Sequence, residues 1–173
     1  METYKKFSDI FCIKEDISKK SYSKHFEGAM TQGSGYMHIR GSYEEGLVSA
    51  PQNEEYMRMP ANVTIEKPRH PRSKFGTYIP GVVGKHPLLN EEIVNLPYPF
   101  YIELWDGEER FDMDGSSVES YSRWLDMRDG VMYRSFIWKT KNGNKINCGY
   151  KRFVSRKNPN IVYLQGEFIA ECD

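Results

Sequence analysis

Three two-residue turn signals, Asp106-Gly107, Asp129-Gly130 and Asn142-Gly143, punctuate aromatic-rich runs in the second half of the chain. Asp-Gly and Asn-Gly tolerate the positive φ angles of a two-residue hairpin, so each predicts a tight antiparallel reversal. The runs between them read as strands: Tyr101 to Trp105, Glu108 to Met113, Ser120 to Arg128, Val131 to Lys139, Lys145 to Ser155 and Ile161 to Ala170. Phe111 and Met113 share one face of the second run, while Tyr121 and Trp124 anchor the third. A meander of this kind buries its apolar face only in a sandwich or a barrel. Aromatic residues at 14%, with 14 Gly and 9 Pro, favour strands and turns over a helical bundle. The expected fold class is all-β, an antiparallel β-sandwich.

The first half is less regular. Phe7 to Ile17 suits a short strand, His25 to Gln32 a helical turn, and Met37 to Gly41 a strand leaving the Gly33-Ser34-Gly35 turn. Pro51, Pro60, Pro68 and Pro71 predict a long irregular excursion over 51–74, and such excursions in compact domains are usually functional or interface-forming. Thr77 to Val83 reads as an edge strand broken by Pro80. There is no internal repeat or low-complexity segment.

At 173 residues the length suits one domain. Lys and Arg total 24, as do Asp and Glu, and a zero net charge argues against binding nucleic acid through a broad basic field. No apolar run approaches the ~18 residues of a membrane span, and the N-terminus leads into no secretory h-region of ~7–15 residues. Cys12, Cys148 and Cys172 are odd in number and widely spaced, which suggests neither a disulfide framework nor a zinc knuckle. The expected setting is cytoplasmic.

Chemistry-bearing residues are few. Asp112 and Asp114 would share one face of a strand about 6–7 Å apart, within the window of an inverting glycosidase pair. The same residues, followed by Gly115, also describe a strand end entering a turn, and that reading is preferred. Glu44-Glu45 and Glu91-Glu92 are adjacent, so within a strand each pair would point to opposite faces. His25, His38, His70 and His86 have no metal-ligand spacing, so no metal is expected. No dinucleotide fingerprint or Gly-x-Ser-x-Gly elbow occurs. The basic run Lys67 to Lys74 could steer phosphate or an acidic surface, although a solvated Pro-rich loop is the preferred reading. Asn62-Val63-Thr64 fits the glycosylation sequon by chance.

Seven ordered blocks carry a resemblance. Gly35-Tyr36-Met37-His38-Ile39-Arg40-Gly41-Ser42-Tyr43-Glu44-Glu45-Gly46 resembles the NGYxGxRGxxEEG signature of glycoside hydrolase family 65. Gly76 to Val82 is similar to the family's GTYIAGVY segment, Glu92 to Pro97 to ELVNLPN, Asp106 to Asp112 to DGERFDL, and Leu125 to Val131 to LDMREGVL. Arg134-Ser135-Phe136 and Arg152-Phe153-Val154-Ser155 match the strands that follow. Ser34 departs from the usual Asn and His38 from the usual Gly, which puts the local turn geometry in doubt.

The resemblance implies the family's N-terminal domain over 1–173, a galactose-mutarotase-like β-supersandwich, here incomplete at its C-terminus. Family members act on α-linked glucose disaccharides with inversion, by phosphate or by activated water. Their general-acid Glu lies in an (α/α)6 barrel that is absent from this chain. The resemblance therefore implies a non-catalytic domain, with no catalytic residue and no cofactor beyond phosphate as co-substrate of a parent enzyme. Expected partners are that barrel and a homodimer mate, with no nucleic acid and no membrane. Arg40, Glu44, Glu45 and Tyr78 are the candidates for carbohydrate or barrel contact, and Arg40 is expected to fix its turn by pairing with Glu44 or Glu45. A stand-alone carbohydrate-binding module is the alternative, and an enzyme using Asp112 and Asp114 a third reading.

Overall fold

The computed structural model describes residues 11–15, 23–45, 75–85, 90–113 and 115–171. The 51–74 excursion, the basic run within it, Asn62, His70, His86, Asp114 and Cys172 lie outside the described residues. In chain order the elements are β1 (Cys12–Lys14), α1 (Ser23–Ala29), β2 (Gln32–Gly33), β3 (His38–Ile39), β4 (Thr77–Tyr78), β5 (Val83–Gly84), β6 (Glu92–Ile93), β7 (Ser117–Asp126), β8 (Val131–Lys139), β9 (Lys145–Val154) and β10 (Val162–Glu171). A five-stranded antiparallel sheet in the order β1-β7-β8-β9-β10 dominates the molecule. Two smaller sheets, β2-β3-β4 and β5-β6, complete the strand set. The fold is an all-β antiparallel sandwich, as its turn chemistry predicts.

The predicted turns are where the sequence puts them. Gly107, Gly130 and Gly143 adopt φ of 100°, 67° and 88°, a region closed to most side chains. Between them the side chains alternate. Met132, Arg134, Phe136 and Trp138 are buried on the inner face of β8, and Tyr133, Ser135 and Ile137 are half-buried on the outer face. A bulge between Glu119 and Ser122, with Ser120 at φ 52°, twists β7 onto β8.

The covering layer comes from both halves of the chain. Tyr43, Phe111 and Met113 pack on Phe136, Trp138, Cys148 and Tyr150, and the Phe111 and Phe136 rings stack 4.7 Å apart. Met37, Ile39, Tyr98 and Phe100 form a neighbouring cluster, with Phe75 stacked on Tyr98 at 4.3 Å. Leu164 of β10 touches both clusters. Gln32 ties β2 to the large sheet by donating from Nε2 to the Gly130 carbonyl at 2.7 Å and the Arg152 carbonyl at 3.1 Å.

Two expected strands are not ladders. Main-chain pairing between Tyr101 to Trp105 and Glu108 to Met113 is confined to the Trp105–Arg110 bridge and the Phe111 N–H on the Leu104 carbonyl at 2.9 Å, with Arg110 adding side-chain contacts to Tyr101 and Glu103. The Asp106 carboxylate accepts the Glu108 and Glu109 N–H groups, which tightens the reversal, and Phe111 and Met113 bury themselves in the sheet core. Thr77 to Val83 splits into β4 and β5 because Pro80 and Gly81 form a turn closed by the Val82 N–H on the Ile79 carbonyl. Opposite Gly33, the His38 ring occupies the space a side chain at 33 would need: a Cβ there would lie 2.7 Å from Nδ1.

Gly41 sits where the covering segment crosses the end of α1. A Cβ on it would lie 2.8 Å from the Met30 Cβ and 2.9 Å from two backbone oxygens, whereas a Cβ on Gly28 meets nothing within 4 Å. Gly41→Ala is expected to destabilise the chain by about 1–3 kcal/mol through overpacking. Gly28→Ala, in a helix, should add about 0.5–1 kcal/mol. Urea titrations of both variants check the pair, and equal effects would remove the packing account.

Candidate functional site

The inner face of the large sheet carries three arginines where an apolar stripe would be expected. Arg123 on β7, Arg134 on β8 and Arg152 on β9 are each about 1% exposed. Arg123 and Arg134 are direct cross-strand partners, and Arg152 stands opposite Met132, two residues before Arg134. Like charges opposite one another repel, and dehydrating three guanidinium groups costs several kcal/mol each. Such a stack persists where matched carboxylates and hydrogen bonds offset that cost.

The match is one to one. Glu45 grips Arg134 in a two-point fork, with Nη2 donating to Oε1 at 2.7 Å and Nη1 to Oε2. Glu44 bridges two arginines, with Oε2 2.9 Å from Arg134 Nη1 and Oε1 2.9 Å from Arg152 Nη1. Glu15, following β1, lies 2.9 Å from Arg123 Nε and accepts the Tyr121 hydroxyl. Backbone carbonyls complete the set: Gly41 accepts from Arg123 Nη1 and Ser42 from Arg152 Nη1, both at 2.9 Å. Aromatic faces cover what remains of the cations. Tyr43 lies 4.5 Å and Phe136 4.7 Å from the Arg134 guanidinium carbon, and Phe100 lies 4.9 Å from that of Arg152.

Burial and charge act in opposite directions on these groups. Burial raises the Glu44 carboxyl, but Arg152 and Arg134 outweigh it and hold the group below its ordinary value of 4.5. Burial pushes the Tyr43 phenol up to about 12 despite the opposing pull of Arg123. Tyr98, whose hydroxyl donates to the Ser42 carbonyl at 2.9 Å, is likewise raised, chiefly by burial. Glu44 is therefore an ionised carboxylate at neutral pH with no proton to give, and the cluster is built to hold rather than to transfer protons.

This placement corrects one expectation. Arg40 does not fix its turn through Glu44 or Glu45; its Nε lies 3.2 Å from Oε2 of buried Glu27 in α1. The two glutamates face the sheet because the Gly41–Glu45 stretch lies flat across it, so their carboxylates reach arginines rather than their own neighbour. Arg40 and Tyr78 come together on the surface: both flank Gly76, and they are 33% and 39% exposed. Of the four candidates, Glu44 and Glu45 are interior and Arg40 and Tyr78 form one accessible corner. Asp112 sits in a turn, its carbonyl accepting the Gly115 and Ser116 N–H groups, in line with the preferred turn reading.

Sequence reasoning passed over Glu15, Arg123, Arg134 and Arg152 as site residues. The available signal was Arg134 in register with Met132, Phe136 and Trp138, a cation inside an apolar alternation. A separate cleft of about 340 Å³ opens beside β10, lined by Glu103, Trp105, Trp138 and Phe168. Trp105 there is 61% exposed and donates from Nε1 to Glu103 Oε2 at 3.2 Å, and the buried Trp138 Nε1 has no acceptor. No described helix is long and apolar enough to cross a membrane.

Comparison with known proteins places the chain. Residues 13–173 match the model of the glycosyl hydrolase family 65 N-terminal domain. Kojibiose phosphorylase of Escherichia coli strain K12 is 27% identical over 156 residues, 86% of this chain and 17% of that protein. Trehalose 6-phosphate phosphorylase of Lactococcus lactis is 26% identical over 165 residues, 91% of this chain and 18% of that protein. A solved structure assigned as a kojibiose phosphorylase from human microbiome superposes with a TM-score of 0.71 at 19% identity, covering 92% of this chain and 20% of that one. The chain thus spans less than a fifth of the length of these two relatives.

Two outcomes follow from the arginine cluster. Arg134→Met strands Glu45 in the interior, leaves Glu44 with Arg152 alone, and is expected to cost about 3–5 kcal/mol, read as a lower urea midpoint. Glu44, with a lowered native value, contributes stability that is full above about 4.5 and is lost as the pH falls through that lowered value. Glu44→Gln should flatten that acid limb of the stability curve, and an unchanged limb would show that Glu44 does not carry it.

Proposed function

The chain belongs to glycosyl hydrolase family 65 through its N-terminal domain, and from that premise we propose that it is the non-catalytic sandwich module of an inverting α-glucoside phosphorylase or hydrolase. The observation that carries the reading is the neutralised interior. Glu15, Glu44 and Glu45, the carboxylates packed on the sheet's arginines, are held in buried ion pairs that fasten the covering segment to the sheet. The chemistry then belongs to a barrel domain of the parent protein, with an α-linked glucose disaccharide as substrate and inorganic phosphate as co-substrate where the reaction is phosphorolysis. The Arg40–Tyr78 corner is the proposed barrel contact, since it offers an accessible guanidinium and ring on a framework fixed by Glu27 and Gly76. The module also supports a dimer, and the compartment is cytoplasmic.

A second reading, a carbohydrate-binding module, draws on the cleft beside Trp105. An exposed indole next to a carboxylate suits a sugar ring, which stacks its apolar face and donates its hydroxyls.

Release of glucose 1-phosphate or glucose from kojibiose, trehalose and trehalose 6-phosphate tests the first reading, with this chain alone and with the longer gene product. Turnover is expected only in the longer product, and turnover by the 173 residues would overturn the proposal. Titration of tryptophan fluorescence with the same sugars decides the second. Saturable quenching that Trp105→Ala abolishes supports it, and no quenching removes it.

A further inference from the structure

A cleft of about 560 Å³ opens beside β2, between the turn that joins β7 to β8 and the exit of β9. That volume suits a small organic ligand. Ile13, Leu125 and Val154 supply an apolar wall, and Arg128, Asp129 and Arg156 line the cleft as exposed charged groups.

Gln32 is the buried polar group of this cleft, 6% exposed. Its Nε2 commits both hydrogens, to the Gly130 carbonyl at 2.7 Å and the Arg152 carbonyl at 3.1 Å. Two carbonyls can face only the nitrogen end of the amide, so the position of Oε1 is fixed. Among the described residues no donor reaches that oxygen. A buried acceptor left in this way is destabilising, and a hydroxyl brought into the cleft satisfies it.

The rim has a matching surplus of cations. Arg40, Arg110, Arg123, Arg134 and Arg152 are all in ion pairs, whereas among the described residues Arg128 and Arg156 are in none. The Arg128 guanidinium carbon lies 5.1 Å from the Phe11 ring, a contact that steers the cation without neutralising it. The backbone beneath the rim is braced. The Arg128 and Asp129 N–H groups donate to Asp126 Oδ1, and Ser34 Oγ donates to the Pro159 carbonyl at 2.7 Å, which ties the loop after Arg156 to the β2 end.

We propose that this cleft binds a phosphorylated sugar, with Arg128 and Arg156 holding the phosphate and the ring hydroxyls donating to Gln32 Oε1 and Asp129. The match is group by group. Two guanidinium groups suit a dianion, two acceptors suit hydroxyls, and the apolar wall suits the C–H face of a ring. A bare anion leaves Gln32 and Asp129 without donors, and a neutral sugar leaves both cations unmatched. The proposal goes beyond the module reading and asks no catalysis of this chain.

Calorimetric titration with glucose 6-phosphate tests it, with glucose and inorganic phosphate as separate arms. Glucose 6-phosphate is expected to bind at one site, at least about tenfold more tightly than either simpler compound. Arg128→Gln and Arg156→Gln should each weaken it about tenfold, the loss of one charged hydrogen bond apiece. Arg156 is exposed and unpaired, so its variant should keep the wild-type urea midpoint, and its lost affinity then reads binding rather than folding. In the longer gene product, the variant carrying both substitutions should lose one binding site relative to the wild type.

No binding of glucose 6-phosphate, equal binding of inorganic phosphate, or binding that both arginine variants keep would overturn the proposal. Loss of no site in the longer product would do the same. Disaccharide turnover by the chain alone would instead remove the module reading and leave this one standing.

Discussion

Arg134 is held along one edge of its guanidinium plane by Glu45, at its Nη1 by Glu44, and over its faces by Tyr43 and Phe136. The rest of the molecule is organised around that contact. It joins a segment near residue 45 to β8, the central strand of the large sheet, and it does so in a dehydrated interior. A charge pair in such a place gives little net stability over a well-packed apolar substitute. What it gives is position, because a bidentate fork tolerates almost no displacement and a slip of the Gly41–Glu45 stretch would orphan several charges at once.

The large sheet was legible because its information is local. Asp-Gly and Asn-Gly turns fix where β7, β8 and β9 begin and end, and strict alternation from Met132 to Trp138 fixes the buried face. The thin 101–113 arm carries a hairpin signal at Asp106-Gly107 and so reads as two strands, yet Phe111 and Met113 serve packing across layers rather than a ladder. The charge cluster was illegible for a different reason. A sequence shows that Glu44, Glu45 and Arg134 exist, but partners 89 or 90 residues apart are set by tertiary structure alone. Arg40 was assigned to its nearest acidic neighbours, and its partner proved to be Glu27 in α1.

The same cluster changes how the most recognisable stretch of the sequence is understood. Arg40-Gly41-Ser42-Tyr43-Glu44-Glu45 carries the family resemblance, and two adjacent acids beside an arginine invite a sugar-binding interpretation. In the fold these residues are fasteners: Gly41 and Ser42 offer carbonyls to arginines, Tyr43 covers them, and the glutamates neutralise them. A signature can thus mark a family by its architecture while the accessible corner lies beside it, at Arg40 and Tyr78.

The wide separation of Glu44 from Arg134 also sets a schedule for synthesis. During translation at about 5–20 residues per second, the acidic segment emerges roughly 5–20 s before its cations exist. Through that interval its carboxylates have no arginine of the sheet to pair with and keep their water. When β7, β8 and β9 close by local hairpins, their inner face carries three arginines among its apolar residues, and these stay hydrated until the covering segment arrives. Water leaves these charges only when the two halves meet, so closing the ion pairs belongs to the last step of assembly, long after both partners have been made.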